Sequence, residues 1–316
     1  MSQFHQKSRQ VLASIFTAAS LFYVNPTFAQ SSENLTASVY KSLDFEPIEI
    51  PVSLPETVTY TSPTSAPQNI FDGNNSNINY HVCRRILRSE IDPIVKKYRS
   101  KWAILVESLD GNSLYDYNAD LKLIPASNVK ILTTAAALQT LSPQSAIGSK
   151  SLQDWVAVTN LRSNNFYADT LLRHLGGAQR AKQALLQLGV ESTSYNLADG
   201  SGLSRSNRAT PRSLVQALRG MYYAENNEVF FASLPTAGQT GTLRNRMRET
   251  AAQGSVHAKT GTLTGVRALS GYIEHPIYGT MVFSILGNQP NSSGASLVGA
   301  IDQIVVKLTT LSGCEN

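Results

Sequence analysis

The chain has 316 residues, 42 % of them hydrophobic and 16 % charged, which excludes an intrinsically disordered protein and allows one sizeable domain or two small ones. The formal charge of +5 is carried by scattered side chains, with no basic run longer than two residues in the body and no basic stripe interleaved with aromatics, so nucleic acid is not an expected partner. Two cysteines and five scattered histidines offer no metal-ligand spacing, and neither a metal nor another cofactor is expected.

In chain order, Lys7 and Arg9 precede an uncharged stretch from Val11 to Val24, and Pro26-Thr27-Phe28-Ala29 follows. A basic n-region, a short apolar h-region and small residues before a cut after Ala29 describe a signal peptide over residues 1–29. The apolar part, about 14 residues, is too short to span a bilayer comfortably, so an exported protein that is not integral to the membrane is expected after cleavage. No cysteine lies near the cut to take a lipid anchor, and its removal leaves 25 basic against 22 acidic side chains.

Residues 30–80 are rich in Ser, Thr, Pro and Asn and read as an unstructured tether. Order is expected over 81–316. Ile86, Ile91, Ile94 and Val95 recur at helical spacing up to about Tyr98. Strands Trp102–Leu109 and Ser113–Asn118 flank Asp110-Gly111-Asn112, a hairpin signal. Helices are predicted over Ala126–Leu141, Asn165–Leu175 with glycine stops at Gly176-Gly177, Ala178–Leu188, and onward from Thr210-Pro211. Strands Ser255–Thr262, Arg267–Glu274 and Gly279–Leu286 and a helix Ala295–Leu308 close the chain. The fold class is therefore α+β, with an antiparallel sheet of about five strands drawn from both chain ends and flanked by helices. Cys83 and Cys314 sit near those two ends, where an exported protein could bridge them; buried free thiols are the alternative.

Three short motifs carry chemistry. Ser127-Asn128-Val129-Lys130 opens a predicted helix, and the i, i+3 spacing places Lys130 one turn above Ser127 on the same face. A serine hydroxyl needs a neighbour to take its proton, and a lysine whose pKa is lowered by burial and a second cation can do so. Ser163-Asn164-Asn165 precedes another helix, and alone would be an ordinary N-cap. Lys259-Thr260-Gly261-Thr262 lies on a predicted strand, where Gly261 lets the backbone approach a ligand.

Taken together, in this order, the motifs match those of β-lactamases and penicillin-binding proteins. With Asp199-Gly200-Ser201-Gly202-Leu203-Ser204-Arg205, Pro235-Thr236-Ala237-Gly238 and Gly241-Thr242-Leu243-Arg244, the chain from about Val82 onward resembles the D-alanyl-D-alanine carboxypeptidase/endopeptidase branch, the class C low-molecular-mass penicillin-binding proteins. The resemblance implies a β-lactamase/transpeptidase-like fold, peptidoglycan stem peptides as substrate, β-lactams as inhibitors and a periplasmic or cell-wall location. It implies Ser127 as nucleophile, Lys130 as general base, Ser163 as proton relay to the leaving D-alanine, and Asn165 as a residue that holds the peptide and orients Lys130. By the same resemblance Lys259 lowers the pKa of its neighbours, and Thr260 and Thr262 contact the terminal carboxylate. By the same resemblance the backbone N–H groups of Ser127 and Thr262 form the oxyanion hole, while the glycine-rich Asp199–Arg205 segment is diagnostic of the family, with a tight turn beside the cleft as its plainer reading.

Relatives of this branch carry large inserted domains between the first and second motifs. Here only 33 positions separate Lys130 from Ser163, and an extended stretch of some 20 residues after the Ala126–Leu141 helix would bridge them. Two other functions compete. A class A β-lactamase would need a Glu-x-x-x-Asn loop, and Glu191 has Asn196 five positions on rather than four. An inactive wall-binding relative would have kept the fold alone.

Overall fold

The computed structural model describes residues 78–98, 100–291 and 293–315, so the expected signal peptide and nearly all of the expected tether lie outside the described residues. Ile78–Tyr80, assigned to the tether from composition, belong to the folded part. Ile78 bridges Glu315, and the Asn79 side chain accepts from the backbone of His81 and Val82, capping helix α1, Tyr80–Lys97.

One five-stranded antiparallel sheet, in the order β2-β1-β9-β8-β7, organises the domain. Its strands are β1 (Lys101–Ser108), β2 (Ser113–Tyr117), β7 (Val256–Leu263), β8 (Val266–His275) and β9 (Gly279–Asn288). The β1–β2 hairpin turns at Gly111, whose φ of +84° suits glycine. Strand β1 is apolar without a break from Trp102 to Val106 because it is buried on both faces. Ala103 and Leu105 point into the core on one side, Trp102, Ile104 and Val106 into the core on the other.

On the second of these faces lie α1 and the last helix, α8 (Ala295–Thr309). Cys83 and Cys314 are bridged there, with Cα atoms 4.9 Å apart across 231 positions, and Asn79 N–H donates to the Cys314 carbonyl at 2.7 Å. The other face carries α2 (Val129–Thr140), α3 (Leu152–Leu161), α4 (Asn165–His174), α5 (Ala178–Gln187), α6 (Pro211–Tyr223) and α7 (Asn227–Ala232). Helix α2 is buried on every side from Val129 to Leu138, because α3, α4, α5 and α6 all pack around it. Its two charged or amide-bearing neighbours in sequence, Lys130 and Asn128, therefore have to find partners inside the protein.

The stretch between Leu141 and Ser163 is not an extended link. It forms the hairpin β3 (Ala146–Ile147) and β4 (Lys150–Ser151), then α3, started by a Ser151/Asp154 capping box. Trp155 Nε1 donates to the Ile147 carbonyl at 2.9 Å and ties hairpin to helix. A second small hairpin pairs β5 (Tyr195–Asn196) with β6 (Arg208–Ala209), and Thr210 with Pro211 starts α6 as expected.

Candidate active site

Ser127 sits in a tight 3-10 turn, Ala126–Asn128, that leads directly into α2. The expected helix from Ala126 thus begins with a distorted turn, in which Ala126 has the left-handed φ of +49°. Such a conformation is retained only where its surroundings enforce it. Here a Cβ on Gly202 would collide with the Ala126 carbonyl, and one on Gly261 would come within 2.6 Å of the Pro125 carbonyl. The absence of a side chain at both glycines lets the Ser127 turn be gripped from two sides. From below, Asn128 Nδ2 donates to Ser270 Oγ on β8 at 2.6 Å, and the Ser270 hydroxyl donates to Ser284 Oγ on β9 at 2.9 Å.

Neither motif serine is an ordinary cap. No side-chain cap bond is made at the start of α2, and the N-cap of α4 is Asn164, which accepts from Tyr167 N–H, not Ser163. Ser163 stands just ahead of that helix with φ of +55°. Both hydroxyls are left to the site, and both side chains are half-buried.

Lys130 joins the pieces. Its Nζ donates to Ser127 Oγ at 3.0 Å, Asn165 Oδ1 at 2.7 Å and the Ser201 carbonyl at 2.6 Å. Burial lowers its pKa to about 8, against the pull of the Asp169 and Asp199 carboxylates. Lys259, wholly buried on β7, donates to Ser163 Oγ at 2.8 Å and to the Thr260 carbonyl at 3.0 Å. Burial first and the charge of Lys130 second push Lys259 well below the usual lysine range. Burial is the leading cause of the lowered value at Lys130.

Thr260 is nearly buried and its hydroxyl donates to Thr242 Oγ1 at 2.8 Å. Thr262 is exposed on β7, the edge strand. One oxygen-bearing segment was undervalued in the sequence. Ser201, fully buried, offers its carbonyl to Lys130 from the Asp199–Arg205 segment, which is part of the site's wall and more than a turn. That segment is held by Asp199, which accepts from Gly202, Ser204 and Asn207 Nδ2, and by Asp169, which accepts from Gly200 N–H at 2.9 Å. The dense Gly, Ser and Asp content is the only local signal that marks it.

A five-stranded antiparallel sheet with a serine and two buried lysines at the junction with the helical layer defines the serine β-lactamase and penicillin-binding class of fold. The fold is shared with penicillin binding protein 4 (dacB) from Haemophilus influenzae, solved in complex with a novel β-lactam, at TM-score 0.61 and 15 % identity over 70 % of this chain and 100 % of that one. It is shared equally with TLA-3 extended-spectrum β-lactamase, at TM-score 0.60 and 18 % identity over 72 % and 97 % of the two chains. The model of the D-Ala-D-Ala carboxypeptidase 3 (S13) family matches residues 87–150 and 145–311, and the chain belongs to that family.

The D-alanyl-D-alanine carboxypeptidase of Actinomadura sp. (strain R39) is 41 % identical over 167 residues, 48 % of this chain and 30 % of the relative. Penicillin-sensitive carboxypeptidase A of Dictyostelium discoideum is 36 % identical over 180 residues, 51 % of this chain and 34 % of the relative. The chain thus spans about a third of the length of these relatives. The two matched pieces of the family model meet at residues 145–150, the β3–β4 hairpin, between the first and second motifs.

Proposed function

We propose that the protein is an exported serine-type D-Ala-D-Ala carboxypeptidase that acts on peptidoglycan stem peptides through an acyl-Ser127 intermediate. The observation that carries this reading is the buried amine 3.0 Å from Ser127 Oγ. Two of its hydrogens are held by Asn165 Oδ1 and the Ser201 carbonyl, so the lone pair of neutral Lys130 faces the Ser127 hydroxyl. Lys130 takes that proton as Oγ attacks the carbonyl carbon of the D-Ala-D-Ala bond. Backbone N–H groups of Ser127 and Thr262 receive the oxyanion, a contribution of roughly 3 kcal/mol per donor in such sites.

As the C–N bond breaks, Ser163 gives its proton to the departing D-alanine nitrogen and is resupplied through the lysine pair. Lys259, bonded to Ser163, keeps that hydroxyl aligned. Water then hydrolyses the ester and regenerates Ser127. Thr260 and Thr262 hold the terminal carboxylate, with Gly261 allowing close approach. A β-lactam presents its strained amide to the same Oγ and leaves a persistent ester, in keeping with the penicillin sensitivity named for the Dictyostelium relative. A D-alanyl cross-link carries the same acyl group, so endopeptidase cleavage would use the same steps. Export into the periplasm or cell-wall space follows from the N-terminal signal pattern.

The class A β-lactamase reading has the shared fold in its favour. Glu191, its candidate for activating the deacylating water, is exposed and accepts from Thr193 Oγ1 at 2.6 Å, and it is not bonded to Ser127 or Lys130. Labelling the purified protein with a fluorescent penicillin, beside Ser127→Ala, tests the choice. Stable label on wild type and none on the variant is expected. Rapid nitrocefin turnover would favour the β-lactamase; a folded wild type that takes no label would leave an inactive wall-binding relative.

A further inference from the structure

We propose that Thr242 is a third hydroxyl of the site for the substrate's terminal carboxylate and determines preference for a free C-terminal acid; the assignment rests on the carboxypeptidase reading. Nothing in the motif chemistry gives Thr242 a role, yet it lies 2.8 Å from Thr260, as the acceptor of that residue's only hydroxyl proton. Thr260 is 9 % exposed while Thr242 is exposed, so the pair runs from the strand outward toward solvent.

A carboxylate accepts only, and it must be met by donors. Here the Thr260 hydroxyl donates to Thr242. When a carboxylate arrives, Thr260 turns its O–H from Thr242 to the anion, and its oxygen is then open to accept from a new donor. Thr242 O–H supplies that donor by reversing the bond. Each hydroxyl in such a chain polarises the next and strengthens the terminal bond to the anion. A threonine without this partner would donate more weakly.

The backbone that presents Thr242 is rigid. It sits in the 3-10 turn Gly241–Leu243, with Gly241 at φ +54° and packed so closely that a Cβ would come within 2.7 Å of the Leu161 carbonyl. Leu243 is fully buried, its carbonyl accepts from Gly238 N–H at 3.0 Å, and Thr240 Oγ1 accepts from Thr236 N–H at 2.9 Å. The same turn thus abuts the end of α3, just ahead of Ser163, and reaches across to β7. A hydroxyl fixed in this way is preorganised for a ligand.

The test is binding in the Ser127→Ala background, by calorimetry, of a blocked tripeptide ending in D-Ala-D-Ala as the free acid and as the C-terminal amide. Adding Thr242→Val, which exchanges hydroxyl for methyl at constant shape, should lower the acid-to-amide affinity ratio about tenfold, about 1.4 kcal/mol. Thr242→Ser should restore it, which loss of packing would not allow. An unchanged ratio with Thr242→Val, even if both affinities fall together, overturns the assignment. D-Ala release by the wild-type chain is measured alongside. If the acid is preferred but no D-Ala is released, the carboxypeptidase reading fails and the carboxylate site stands; if neither peptide binds, both fail.

Discussion

In the proposed mechanism Lys130 takes the Ser127 proton, and its environment sets a pH dependence. With its pKa near 8, the neutral fraction grows tenfold per pH unit below that value and levels off above it. The second-order rate of acylation by a fluorescent penicillin should therefore rise with unit slope from pH 6 to about 8 and then flatten. The Asp169 carboxylate favours the ammonium form, so removing its charge lowers the pKa further. Asp169→Asn retains an acceptor for Gly200 N–H, and should move the limb to lower pH by a few tenths of a unit to about one. A limb that moves upward would contradict this account. Lys130→Ala should cost at least about a hundredfold in acylation, the usual contribution of a general base.

At the scale of elements, the 3-10 turn before α2 is held in a conformation its own sequence does not favour. Ala126 at φ +49° persists because the Asp199–Arg205 segment, β7 and the Asn128–Ser270–Ser284 chain close on it. Gly202→Ala places a methyl against the Ala126 carbonyl at a residue whose φ is itself +85°. It should destabilise the protein by about 1–3 kcal/mol, read from denaturant unfolding, and slow acylation at least tenfold. These grips were not legible in the sequence. Ser-x-x-Lys names its two residues by spacing alone, because one helical turn brings them together. Ser201 lies 71 positions from Lys130, and no local pattern announces that its carbonyl will be the third partner of the amine. Helix α3 was missed for a different reason. Its Ser151/Asp154 cap was readable, but a helix begun by so short a hairpin leaves little periodicity ahead of it.

Across the whole molecule, the Cys83–Cys314 bridge closes a loop of 231 positions and joins α1 to the strand-like end of the chain. Removing it with Cys83→Ser and Cys314→Ser should cost about 2–5 kcal/mol in unfolding experiments while penicillin labelling at 25 °C persists. The β3–β4 hairpin stands where the family model divides, and Gly148 at its tip has nothing within 4 Å of an added Cβ. A short Gly/Ser insertion between Gly148 and Ser149 should change stability by less than about 1 kcal/mol, since each doubling of a loop costs only about 0.6 kcal/mol. What the sequence determined by itself was the α+β class, the order of the five main strands and most of the helices around them, and the motifs that make Ser127, Lys130, Ser163 and Lys259 candidates, because helical spacing, alternation and short motifs are local properties of the chain. Only the tertiary structure decided how Ser127 is held: which carbonyl meets Lys130, which groups bury the two lysines, and that Thr242 stands beside Thr260. Those depend on burial and on contacts between distant segments, which exist only once the sheet and the helical layer have closed on each other.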